Sequence, residues 1–195
     1  MTTIIDTSSL LSFVRYYLPF DSKGVLRKFI VEQVRQGAVV VLDAVWEECG
    51  YVAQGIVVQE LSELLEYVED TTSLLPPSQR KMSNLLDENF CQRIIKNKLS
   101  EEEYLLQKQG FMKSADYKII VKSMQPKGMF DEGCSVLTEE TSASNDNKVF
   151  KKLPSILRSL NIPVSNISQF FKNNGIDAEW YIRKGQQGSD FPFMR

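Results

Sequence analysis

Residues 4–13 read IIDTSSLLSF. An apolar pair, Ile4-Ile5, ends in the carboxylate of Asp6. Three hydroxyl residues follow, Thr7, Ser8 and Ser9. Leu10, Leu11, Val14, Tyr17 and Leu18 then recur at helical spacing, and Pro19 closes the run. A short buried strand over residues 2–6 that passes straight into a helix is the first half of a β–α unit. Its junction lies at the carboxyl end of the strand, where open α/β sheets bind ligands. Asp6 either caps the helix or holds something at that edge.

The same alternation continues along the chain. GVLRKFIVEQVRQG (24–37) reads as a helix ending at Gly37. AVVVL (38–42) is a short β-branched run, expected as a buried strand, and DAVWEECGYVAQ (43–54) as a helix with Asp43 at its N-cap. CSVLT (134–138) and IPVSNI (162–167) read as further strands, and KKLPSILRSLN (151–161) as the helix between them. SQFFKNNGI (168–176) reads as a last helix capped by Ser168. Strands alternating with helices predict a central parallel sheet in a three-layer α/β/α domain over residues 1–182. Residues 183–195 read as a mobile tail.

The middle of the chain, about 56–112, is more polar and helical, and reads as a helical insertion or lid. VVQELSELLEYVED (57–70) has the pattern of one amphipathic helix, RKMSNLLDENFCQRIIKNK (80–98) of a second, and SEEEYLLQKQGF (100–111) of a third. Ser100 and Glu103 have the spacing of a capping box. SADYKIIVKSM (114–124) follows as a more apolar helix.

Composition narrows the chemistry. The 195 residues include no histidine and three separated cysteines, Cys49, Cys91 and Cys134. Histidine-activated nucleophiles and the commonest zinc ligand are therefore excluded. Unpaired cysteines predict free thiols in a reducing cytoplasm. A net charge of −2 gives no bulk attraction to nucleic acid or membrane. There is no run of the roughly 18–20 apolar residues that a membrane span needs, and the amino-terminal stretch does not read as a signal peptide. Any catalysis must come from carboxylates, hydroxyls, lysines or a metal held by oxygen, which suits Mg²⁺ or Mn²⁺.

Four acids fall where such a site would form. Asp6 ends the first strand, Glu48 lies one turn into the helix after AVVVL, Asp116 opens the apolar helix, and Glu140 follows the strand CSVLT. Each has an ordinary alternative: a cap for Asp6, a solvated face for Glu48 beside Glu47, a first-turn acid for Asp116, a turn residue for Glu139 or Glu140. Together, a parallel sheet brings all four to one edge, and a divalent cation offsets their mutual repulsion. Phe13, Tyr16, Tyr17 and Phe20 have the spacing of a core face, with base stacking as the competing use.

With these residues in view, the chain resembles the PIN domain of metal-dependent ribonucleases such as the VapC-type toxins. IIDTSSLLSF is similar to that family's first motif, VLDAVWEECGY to the second, SADYKIIVKSM to the third and VLTEE to the fourth, with Glu140 where Asp is usual. KKLPSILRSLNIPVSNISQFF resembles the family's closing helix–strand–helix, so the likeness spans nearly the whole chain in order. It most resembles a longer PIN-like subgroup linked to toxin–antitoxin systems.

The resemblance implies a PIN-like fold and an acidic Mg²⁺ or Mn²⁺ site made by Asp6, Glu48, Asp116 and Glu140. It implies that Thr138 and Ser8 orient ligands or contact phosphate, and Thr7 and Lys148 are further candidate substrate contacts. The segment TSASNDNK departs from the family pattern and offers Asp146 as an extra ligand, with a solvated loop acid as the alternative. Lys148, Lys151 and Lys152 read either as a phosphate-facing rim or as ordinary surface lysines. The implied activity is endonucleolytic hydrolysis of single-stranded RNA, in a cytoplasmic toxin with an antitoxin partner and a homodimeric state among its options. Two other readings are a PIN-like binding or scaffold module without catalysis and a metal-dependent DNA nuclease.

Overall fold

The computed structural model describes residues 2–126, 133–141 and 148–176. Its centre is β1 (Thr2–Ile5), whose Ile4 and Ile5 are both buried because helices cover both faces of the sheet. β1 pairs in parallel with β2 (Val39–Val40) on one side and β3 (Cys134–Leu137) on the other. β3 pairs in parallel with β4 (Val164–Ser165), giving the order β2-β1-β3-β4. The helices flank this all-parallel sheet as a three-layer α/β/α fold. The register pairs Ile5 with Leu137. Asp6 and Thr138 are therefore the next residues beyond the paired ends of adjacent strands.

Each strand passes into a helix or a pinned turn. α1 (Thr7–Ser12) starts immediately after Asp6 and continues through a wider π-type turn (Phe13–Tyr17) and a 3₁₀ turn holding Pro19. α2 (Val25–Arg35) returns to β2, and α3 (Asp43–Tyr51) leaves from its far end. α8 (Ala115–Ser123) precedes β3, and α9 (Leu153–Ser159) connects β3 to β4. α10 (Ile167–Asn173) follows β4.

Several local expectations are corrected. The N-cap of α3 is Leu42, not Asp43. The Asp43 carboxylate instead accepts from the Ala44 N–H at 2.7 Å and from the Thr71 N–H at 2.9 Å, and the Thr71 hydroxyl donates to it at 2.5 Å. These bonds fasten the segment around Glu69, which bridges Leu42 in parallel. Residues 57–70 are consequently not one helix. α4 (Ile56–Glu60) stops at Leu61, a 3₁₀ stretch (Ser62–Tyr67) follows, and Glu69 joins the sheet edge. Lys118 and Lys122 of α8 hold the same segment, through the Thr71 carbonyl and the Glu69 carboxylate.

Residues 80–98 also divide. α5 (Gln79–Asn84) runs into a π-type turn (Leu85–Phe90), Cys91 makes an antiparallel bridge to Phe150, and α6 (Arg93–Lys96) follows. Tertiary pairing overrides the helical period in both stretches. The cap of α10 is Asn166, in a capping box with Gln169, rather than Ser168. The box on α7 (Glu101–Met112) forms as its sequence predicts, from Ser100 and Glu103.

Val57, Leu61, Leu64, Leu86 and Phe90 belong to the same core as Ile4, Ile5 and Val136. The middle of the chain is thus built into the body of the fold, and α7 supplies one wall of the cavity described below. Among the described residues, no helix is long and apolar enough to cross a membrane. The expected tail, 183–195, and Asp146 both lie outside the described residues.

Candidate active site

A cavity of about 810 Å³ opens where β1 and β3 end, and Asp6, Glu48, Asp116 and Glu140 all line it. Each comes from a different segment. Asp6 sits between β1 and α1, Glu48 on α3, Asp116 in the first turn of α8, and Glu140 beyond β3. Thr7, Ser8 and Lys148 line the same space.

Asp6 is 4% exposed and makes no side-chain cap on α1, so the capping reading does not hold for its carboxylate. Its Oδ2 accepts from the Ser8 hydroxyl at 2.6 Å and from the Thr138 hydroxyl at 2.9 Å. Ser8 Oγ also accepts from the Glu139 N–H, and Thr138 Oγ1 from the Glu140 N–H. A hydroxyl latch therefore ties the Asp6 carboxylate to the backbone that carries Glu140. Such bonds to a charged acceptor are stronger than neutral ones and fix its orientation. Glu48 is set in the same manner: the buried Thr7 hydroxyl donates to its Oε2 at 2.8 Å.

The two acids that end VLTEE separate in role. Glu139 turns to α10 and accepts from the Ile167 N–H at 2.8 Å, whereas Glu140 lines the cavity. Asp116 carries the clearest electrostatic signature. Burial, and then the charges of Asp6, Glu140 and Glu48, raise its pKa from 3.8 to about 7, with Lys148 opposing them. An acid held this far above its usual range by burial and by three neighbouring carboxylates marks a functional-site candidate short of positive charge.

Cysteine chemistry is absent from the cavity. Cys49, behind Glu48, is buried, and burial together with the charges of Glu48 and Asp6 pushes its thiol up to about 12. It is not a thiolate at neutral pH. Among the described residues no disulfide joins the cysteines.

The donor set is oxygen only, which fits a hard divalent ion. Among the described residues, no three His, Cys, Asp or Glu side chains converge as a ready-made metal cage. Mg²⁺ needs none, because it binds through one or two carboxylates and keeps several waters. Asp6, latched in place, and Asp116, held above its usual range, are the two acids best suited to supply them.

The far wall was not anticipated. Leu106, Gln107, Gly110 and Phe111 of α7 line the cavity with Phe150, which stacks on Phe111 at 4.3 Å and 11°. The sequence placed α7 by its capping box, but carried no signal for which face meets the acids. Lys151 and Lys152 also line the cavity, and Lys151 Nζ donates to the Asn89 carbonyl at 2.7 Å. Of the aromatic run, Phe13 is core and Tyr17 packs edge-on against Phe171, while Tyr16 and Phe20 are exposed.

Fold and site together define an α/β/α protein with a carboxylate-lined cavity at the carboxyl edge of its parallel sheet. The family model of a domain of unknown function (DUF4411) matches residues 3–178, and the chain belongs to that family. Comparisons with curated proteins and with solved structures find no match.

Proposed function

We propose that this chain is a PIN-like, Mg²⁺- or Mn²⁺-dependent endoribonuclease that hydrolyses phosphodiester bonds of single-stranded RNA. One observation carries the reading. Four acids from four separate segments line one cavity, and burial, together with the charges of the other three, raises the pKa of Asp116 to about 7. That arrangement costs folding energy unless a cation joins it.

Asp6 and Asp116 are the ligands of that cation, with Glu48 and Glu140 completing the negative cavity. Bound there, the ion lowers the pKa of a coordinated water and polarises a phosphoryl oxygen. The chain's own contribution is positioning. Ser8 and Thr138 hold the Asp6 carboxylate, Thr7 holds Glu48, and Lys148, in the same cavity lining and electrostatically opposing the acids at Asp116, is the cation that would meet a substrate phosphate. With no histidine in the chain and Cys49 protonated, neither residue type supplies the nucleophile, and in this reading a water activated by the bound ion would do so. A cytoplasmic toxin role with an antitoxin partner rests on the PIN resemblance alone.

The test is cleavage of labelled single-stranded RNA, and of DNA of the same sequence, with Mg²⁺, with Mn²⁺ or with EDTA. RNA cut only with metal, and spared by folded Asp6→Asn and Asp116→Asn variants, supports the reading. No cleavage with either metal, or equal cleavage by the variants, overturns it. Preferential cutting of DNA moves the activity to the deoxyribonuclease class.

A further inference from the structure

The cavity has two chemically different walls. One is the acid wall just described. The other is the last two turns of α7, where Leu106, Gln107, Gly110 and Phe111 face the same space. Leu106 is 70% exposed, a high value for a leucine beside a charged cavity. Phe111 is braced by Phe150 stacked parallel to it and by Tyr117 edge-on. Gln107 brings an amide, with both donor and acceptor capacity.

Gly110 is the informative residue. Glycine is the least favourable helix residue after proline. It is tolerated where the backbone must turn with positive φ or where something approaches closely. Gly110 has no positive φ, and among the described residues nothing lies within 4 Å of a Cβ placed on it. Neither backbone conformation nor packing against the described residues demands a glycine there. The space over it belongs to the cavity.

The segment 148–152 lines the same cavity and contributes Lys148, Lys151 and Lys152. Its backbone is fixed to the body at Phe150, since the Gln92 N–H donates to the Val149 carbonyl at 2.7 Å and the Lys151 N–H to the Phe90 carbonyl at 2.8 Å. An occupant spanning this cavity would present anionic groups to the acids' cation and the lysines, and an apolar face with a polar edge to α7. A nucleotide has that division of chemistry. A base stacked within a duplex is not free to enter.

Resting on the ribonuclease reading above, we propose that the Leu106–Phe111 face of α7 is a nucleobase subsite. It receives an unpaired base next to the phosphate held at the acid wall, and Gly110 leaves the room for that base.

The experiment is fluorescence anisotropy in calcium-containing buffer with two labelled probes: hexauridylate, and the same sugar–phosphate chain without bases. Proteins are the wild type, Gly110→Leu, Leu106→Ala and Gly50→Ala. Gly50 is a helical glycine with equal room that is not part of the cavity wall. The wild type is expected to bind the base-bearing probe at least about fivefold more tightly than the abasic one, the scale of one stacked base. Gly110→Leu and Leu106→Ala are expected to bring the two affinities together. Gly110→Leu should also melt about 2–4 °C higher, as expected when a helical glycine is replaced. Gly50→Ala is expected to keep the preference.

Equal wild-type affinity for the two probes, binding of neither, or a preference that survives in Gly110→Leu and Leu106→Ala overturns the subsite. If RNA is cleaved but no base preference exists, the subsite alone falls. If the base preference is present but no cleavage occurs with Mg²⁺ or Mn²⁺, the hydrolytic reading falls and the subsite stands.

Discussion

Replacing Asp116 with asparagine should stabilise the metal-free protein above neutral pH. Asp116 lies in the cavity with Asp6, Glu48 and Glu140, and its folded-state pKa is about 7 against an ordinary 3.8. At 1.36 kcal/mol per pH unit, ionising it in the fold costs about 4 kcal/mol, an upper figure that any relaxation of the cavity reduces. The sign follows from proton linkage. Between the two pKa values the folded state binds more protons than the unfolded state, so stability falls as pH rises from about 4 to about 7. The cost is absent below the lower value and complete above the upper one. Urea unfolding in EDTA at pH 5 and pH 8 measures it. The wild type should lose stability between these pH values relative to Asp116→Asn, and at pH 8 the variant should be the more stable by about 1–4 kcal/mol. A variant less stable than wild type at pH 8, or with the same pH dependence, would refute the claim that burial and the charges of Asp6, Glu140 and Glu48 disfavour ionised Asp116.

Other positions give independent checks. Thr138→Val removes one hydroxyl donor from the Asp6 carboxylate, and hydrogen bonds to charged groups contribute about 1.5–3 kcal/mol, so its urea midpoint should fall accordingly while the parallel sheet survives in circular dichroism. Gly55→Ala should lower the melting temperature, because Gly55 has φ 72° and its Cβ would lie 2.9 Å from the Gly50 carbonyl oxygen. Left-handed strain alone costs an alanine about 1–2 kcal/mol there. Asp87→Ala should loosen α7, since the Asp87 carboxylate accepts from both Tyr104 and Lys108 of that helix. The loss expected from stranding partly buried donors is about 1–3 kcal/mol, read as faster amide exchange along 101–112.

The strand–helix order and the four acids were readable because each depends on local sequence. Runs such as AVVVL mark buried strands, and a residue just beyond a parallel strand falls at the ligand edge whatever the rest of the chain does. The breaks at Leu61 and Cys91 were not readable in this way. Glu69 leaves a helical period to bridge Leu42, and Cys91 to bridge Phe150, and both partners are distant in the chain. Asp43 has the sequence position of a cap, whereas the residue that donates to its carboxylate, Thr71, lies 28 residues away. The same limit hid the α7 wall. Leu106 and Gln107 look like an ordinary exposed helix face until the fold brings them into the same cavity lining as Asp6 and Asp116.

The proposed function stands or falls on whether Asp6 and Asp116 share a divalent cation. The decisive measurement is a crystal soaked in Mn²⁺ and recorded at the manganese absorption edge. An anomalous peak is expected in the cavity within coordination distance of both carboxylates, and it should be lost in Asp116→Asn. Anomalous density that lies away from both acids, or a soaked cavity that holds no manganese, would contradict it.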